Sequence, residues 1–181
     1  MVMWMSTPDR YGLVARLLHW GMALLLVALF VLGWWATELS YYDPLYRIIP
    51  DLHRSLGIVA AVLIVLRLLW WLVDRRPDPA PGASRWMVLA ARAGHGLLYL
   101  CMILLPISGY LMSTADGRPV SVFGLFEVPA LLPASSGREE WTGMLHYYLG
   151  YGGAWLVLLH VAAALKHQFI DRDDTLRKMI G

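Results

Sequence analysis

Four apolar runs of membrane-crossing length alternate with polar stretches: Leu13 to Thr37, Leu52 to Val73, Gly94 to Ser113 and Trp141 to Lys166. A bilayer core takes about 20 apolar residues per helix. The pattern therefore predicts an all-α fold, an integral-membrane four-helix bundle with four transmembrane helices, as one domain over residues 1–181. Trp34 and Trp35 close the first run and Trp70 and Trp71 the second, as interfacial anchors do. The first run is long and holds Arg16 and His19, so it reads as a retained span rather than a signal-peptide core.

The polar stretches differ in kind. Glu38 to Asp51 is a tyrosine-rich loop broken by Pro44 and Pro50. Pro77 to Ser84, PDPAPGAS, predicts a stiff connector without regular structure. Pro106 predicts a kink in the third span. The loop Thr114 to Glu140 holds VSVFGLFEVPALLP, apolar but too short and too proline-broken to cross. It is expected to lie in the interface as a lid over the bundle.

Composition agrees: 59% of residues are hydrophobic and 15% charged, against about 25% charged in soluble domains. Cys101 is the only cysteine, which excludes disulfides, iron–sulfur clusters and cysteine-rich metal sites. A net charge of +2 gives no ground for nucleic-acid binding. The distribution of that charge says more. Arg10, Arg16, Arg67, Arg75, Arg76, Arg85, Arg92, Lys166, Arg172, Arg177 and Lys178 fall on the side of the termini and second loop. Only Arg47, Arg54, Arg118 and Arg138 fall on the other. The positive-inside rule then makes both termini cytoplasmic.

The histidines carry the candidate chemistry. His146 and His160 are fourteen residues apart on the fourth span, hence ~21 Å apart along its axis and about 40° apart around it. One helix thus offers an imidazole near each membrane surface, both on one face. His19 matches the depth of His160, and His53 that of His146. Two imidazoles facing each other inside an apolar bundle suit the two axial positions of a haem iron. Four residues after these histidines stand Ala23, Gly57, Gly150 and Ala164, small enough to admit a flat macrocycle, whereas Tyr99 and Asp171 follow His95 and His167. A zinc or copper site would need ligands converging at one depth, not two separated pairs.

These residues and their surroundings resemble the bacterial cytochrome b561 family. The likeness runs through LLHW around His19, LHRSLGIVAAVLIVLRLL from His53, GHGLLYL from His95, LHVAAALKHQF around His160 and the terminal DRDDTLRKM. It implies a small four-helix membrane protein with two haem b groups, held by His19 with His160 on the cytoplasmic side and by His53 with His146 on the periplasmic side. It also implies residence in the bacterial inner membrane. The best-described branch of the family passes electrons from superoxide to ubiquinone, and other members serve hydrogenases and similar complexes.

Further expectations follow from the position and chemistry of single residues. With both axial positions filled, electron transfer is the natural task. Arg67, fourteen residues after His53, falls at the depth of the cytoplasmic pair; it pairs with a haem propionate or snorkels to the headgroups. Arg16 and Arg54, close to ligands, are further propionate candidates or interfacial anchors. His95 and His167 are candidates for handling quinone protons. The expected partners are membrane lipid, quinone, and either superoxide or a periplasmic redox protein. Against superoxide, the periplasmic side carries Glu38, Asp43, Asp51, Asp116, Glu127, Glu139 and Glu140 beside its four arginines. An electron carrier for a partner dehydrogenase or hydrogenase, and a non-haem scaffold or metal transporter, are the alternatives.

Overall fold

The computed structural model describes residues 3–80 and 82–181, so Met1 and Val2 of the amino-terminal lead and Pro81 of the connector lie outside it. Among the described residues, four helices are long and apolar enough to span a membrane. They are α1 (Leu13–Glu38), α2 (Ile48–Val73), α3 (Arg85–Ser113) and α4 (Arg138–Lys166). A π-helical turn, His167–Asp171, continues α4, and a short α5 (Arg177–Ile180) follows.

Each helix begins or ends where local chemistry dictates. α2 starts at Ile48 and takes Pro50 into its first turn, which corrects the expected loop break at that proline. A first-turn N–H has no intrahelical partner, so proline there costs no hydrogen bond. α3 starts at Arg85, well before Gly94, because the Ser84 hydroxyl accepts the N–H of Met87 at 3.2 Å and caps the helix. It runs on through Pro106. α4 begins at Arg138 with Glu139 and Glu140 in its first turn, where carboxylates favour the positive end of the helix dipole. The described part of the 77–84 connector has no helix or strand.

The long loop forms a hairpin, which hydrophobic runs alone did not predict. β1 (Val120–Val122) pairs antiparallel with β2 (Phe126–Val128), Val122 opposite Phe126. Phe123 and Gly124 turn the chain with φ of 52° and 69°, and Leu125 N–H bonds back to Val122 O at 2.9 Å. Val120 and Val122 are buried against α2 while Ser121 between them is exposed. Ser55 of α2 ties the turn down, its Oγ accepting the N–H of Phe123 at 3.0 Å.

α1 packs along α2, α3 along α4, and α2 meets α3. Among the described residues, α4 makes no comparably close backbone approach to α1 or α2. Large apolar side chains such as Leu24, Trp155 and Leu159 face outward, as a lipid-facing surface requires. The sealed interior instead includes Met22, Ala60, Ile64, Ser55, Ser108 and Thr142.

At the end holding both termini, three segments are stitched together. Asp74 accepts the N–H and hydroxyl of Ser6 at 2.8 and 2.6 Å. Tyr11 N–H bonds to Lys178 O, and Lys178 Nζ reaches Asp78 O.

Candidate functional site

α4 faces α1 at one depth and α2 at another, with a histidine on each side of both gaps. The rings of His19 and His160 have centroids 6.2 Å apart, and those of His53 and His146 are 6.0 Å apart. Two metal–imidazole bonds of about 2.0–2.1 Å, with each nitrogen about 1.2 Å from its ring centre, call for centroids about 6.4 Å apart. Both pairs thus have the span of two axial ligands on one iron. The interplanar angles are 54° and 89°.

The other ring nitrogens at the loop end have partners. His53 Nδ1 lies 3.0 Å from Leu29 O, and His146 Nδ1 lies 3.0 Å from Leu105 O and 3.1 Å from Ser108 Oγ. A carbonyl can only accept, so Nδ1 carries the proton in both rings and Nε2 keeps a free lone pair. That is the tautomer a metal ligand needs. Gly33 and Gly109 hold these rings close: a Cβ on either would come within 3.0 Å of the Cε1 of His53 or His146. At Gly57 and Gly150, by contrast, a Cβ would meet no atom within 4 Å. Glycine thus packs against the edges of the rings and leaves room beside the helix one turn further on. The donor set and this cradle fit haem b at the His53–His146 pair, whereas at the His19–His160 pair the fit rests on the ring separation alone.

The pair at the terminal end has a different setting. Arg67 Nη2 is 3.1 Å from His19 Nδ1, Nη1 donates to Leu18 O at 3.2 Å, and Nε donates to Tyr99 Oη at 3.0 Å. His95 is not remote from this pair. Its ring centroid is 5.2 Å from that of His160, and its Nδ1 lies 2.7 Å from Ala91 O.

The remaining predicted residues lie elsewhere. Arg54 is paired with Asp51 at 2.7 Å, and Arg16 reaches the carbonyl of Ile180 at the carboxyl terminus. His167 Nδ1 lies 2.6 Å from Asp173 and 3.2 Å from Asp171, whose carboxylate also holds Lys166 at 2.6 Å. Partial burial works against ionisation of Asp173, but hydrogen bonds from Thr175 and His167 outweigh it and hold its carboxyl below the usual carboxylate range.

Sequence reasoning missed Gly33, Gly109, Ser108 and Tyr99. Depth was the available signal for the first three, since each falls at the level of the His53–His146 pair on its own helix. Tyr99 carried none beyond its place one turn after His95.

Comparison with known proteins accords with this geometry. A family model described as prokaryotic cytochrome b561 matches residues 10–181. "Cytochrome b561 homolog 2" of Escherichia coli (strain K12) is 46% identical over 176 residues, covering 97% of this chain and 94% of its own. "Probable superoxide oxidase CybB" of Yersinia pestis is 30% identical over 94% of this chain and 96% of its own. "Cytochrome b561 homolog 1" of Escherichia coli (strain K12) is 29% identical over 95% and 97%. Four apolar helices with two facing histidine pairs, and a family match from residue 10 to the last, make this chain a member of the prokaryotic cytochrome b561 family.

Proposed function

We propose that the chain is a di-haem b conduit of the bacterial inner membrane, taking electrons at its periplasmic end and delivering them to quinone near its cytoplasmic end. One observation carries the reading: two histidine pairs, each with the span of two axial ligands, stacked along one face of α4. The cytoplasmic placement of the termini rests on the arginine and lysine count.

Haem b, when bound, supplies a reversible one-electron couple. His19 with His160, and His53 with His146, are its proposed ligands. Filling both axial positions leaves none for oxygen, which favours electron transfer over oxygen chemistry. Leu29 O and Leu105 O fix the ring orientation of the periplasmic pair. The fourteen-residue spacing on α4 separates the two sites by ~21 Å, a large part of the ~30 Å hydrocarbon core. Arg67 sets the charge beside the cytoplasmic pair. His167, held by Asp173 through Nδ1, keeps Nε2 free to take up a proton from the aqueous side and pass it to a reduced quinone. His95 lies against His160 and belongs to the surroundings of that pair.

The finer reading is superoxide:ubiquinone oxidoreductase. Two superoxide anions, one ubiquinone and two protons give two dioxygen molecules and one ubiquinol. The name of the Yersinia pestis relative supports it. The experiment is a reduced-minus-oxidised spectrum with haem quantified per chain, repeated for each histidine replaced by alanine. Two haems falling to one in each variant are expected; no haem at all would leave the scaffold or transporter reading. Rapid mixing with superoxide and a soluble ubiquinone analogue then tests the donor, and no quinone-dependent loss of superoxide removes it. A second reading, a carrier serving a periplasmic dehydrogenase or hydrogenase, is favoured by the acidity of the periplasmic end.

A further inference from the structure

Three of the four cations of the periplasmic end are already engaged. Arg54 is paired with Asp51 at 2.7 Å and Arg118 with Asp116 at 2.5 Å. Arg138 is only 7% exposed, with its guanidinium turned onto the carbonyl oxygens of Pro133, Thr114 and Ala115. Arg47 is the one exposed arginine there without an ion pair among the described residues. The carboxylates are in the opposite state. Glu38, Glu127, Glu139 and Glu140 are all exposed, and none has a cationic partner among the described residues.

Apolar and aromatic side chains accompany these charges. Tyr41 and Tyr42 are 73% and 92% exposed, and Leu125 at the hairpin tip is 81% exposed. Tyr41 and Tyr46, with ring centroids 5.7 Å apart, line a cavity of about 230 Å³ together with Asp43, Pro44 and Arg47. The surface is also built rather than loose: Ser55 holds the hairpin on α2, and Arg138 ties the loop to α4.

We propose that this end of the bundle is a docking face for a cationic soluble protein that exchanges electrons with the His53–His146 site. Each encounter passes one electron, the donor losing it and the iron at that site gaining it. The proposal rests on the reading of that pair as the point where electrons enter, not on superoxide as their source. Charge is the reason to choose a protein. Exposed carboxylates repel a small anion, and steer a positively charged partner into orientations that bring its redox centre over the bundle. Exposed tyrosines supply the contact area typical of a protein interface.

The test runs electrons outward through the same face. The full chain in lipid nanodiscs, loaded with haem and reduced, is mixed with a lysine-rich ferric c-type cytochrome, or with that cytochrome after its lysines are succinylated. Fold and redox centre are shared, and only the charge is reversed. At low salt the cationic form is expected to oxidise the haems at least tenfold faster, and that advantage should shrink toward 0.15 M salt, where the Debye length is about 8 Å. Glu127→Gln, Glu139→Gln and Glu140→Gln together should slow the cationic form severalfold without slowing the succinylated one. Equal rates for the two cytochromes, or a triple variant indistinguishable from the parent, would overturn the docking face. A chain that takes up no haem overturns the conduit reading itself, and the docking proposal with it, before any cytochrome is added.

Discussion

Arg67 brings Nη2 to within 3.1 Å of His19 Nδ1, whereas His53 and His146 turn the same nitrogen toward main-chain carbonyls. The two histidine pairs thus have opposite electrostatic surroundings. With haem bound, carbonyl oxygens at the His53–His146 pair would increase the donor strength of the rings and favour the oxidised form. A fixed positive charge at the His19–His160 pair would favour the reduced form. On the proposed function, that difference would favour electron flow from the first site to the second.

Arg67→Leu should therefore lower the midpoint of one haem and leave the other in place. Each tenfold change in a one-electron equilibrium is about 59 mV, and a change of at least that size is expected. Arg67→Lys keeps the charge and should recover much of the shift. A spectroelectrochemical titration of the full chain reads both haems at once. Identical curves for parent and Arg67→Leu would remove the arginine from any part in setting the potentials.

Ser55 offers a structural test of what holds the hairpin on α2. Its hydroxyl donates to Asp51 O at 2.8 Å and accepts the N–H of Phe123 at 3.0 Å, at a position only 2% exposed. Ser55→Ala leaves that N–H without its partner, at a cost of about 0.5–1.5 kcal/mol for the lost hydrogen bond. The expected result is faster hydrogen exchange at Phe123 and its neighbours, with the spans themselves unchanged. Unaltered exchange in the hairpin would mean that Val120 and Val122 alone hold it on α2.

Asp74 plays the matching part at the other end. It accepts from Ser6 N–H, Ser6 Oγ and Trp70 Nε1, the last at 3.1 Å. Asp74→Ala strips all three donors of their acceptor and should free the amino-terminal lead, seen as rapid protease cleavage ahead of Tyr11. Asp74→Asn keeps one acceptor oxygen and should protect the lead in part. Equal protection in all three proteins would show that the other hydrogen bonds of the lead, among them Tyr11 N–H to Lys178 O and Asp78 N–H to Pro8 O, suffice to hold it.

The spans and the paired histidines were legible because the membrane imposes them. Twenty apolar residues and an i, i+14 repeat are one-dimensional signals with fixed three-dimensional meaning. What the chain hid depends on neighbours distant in sequence. Val120, Ser121 and Val122 alternate for too few residues to stand out beside long apolar helices, and their burial requires α2 to be in place. Pro50 looked like a loop residue because proline is disfavoured in helix interiors but not in first turns. Arg67 could be assigned a depth from its spacing to His53, but not a partner. Its contacts with Tyr99 and Leu18 join three helices.

Glycine makes the sharpest distinction between holding a histidine and admitting a cofactor. At Gly109 a Cβ would stand 3.0 Å from Cε1 and 3.2 Å from Nδ1 of His146, and at Gly33 3.0 Å from Cε1 of His53. Alanine there would require a ligand ring to shift by a few tenths of an ångström, against its carbonyl hydrogen bond. At Gly57 and Gly150 a Cβ would meet nothing within 4 Å, so the protein alone accepts alanine, which also favours helix by up to ~1 kcal/mol over glycine. Gly109→Ala should therefore lower haem content and change the spectrum of the haem that remains at that site. Gly150→Leu should lower haem content while leaving the helicity of the haem-free chain intact. Haem per chain, measured beside far-ultraviolet circular dichroism of both forms, separates the two effects. Full haem loading in Gly150→Leu would mean that the macrocycle does not lie along this face of α4.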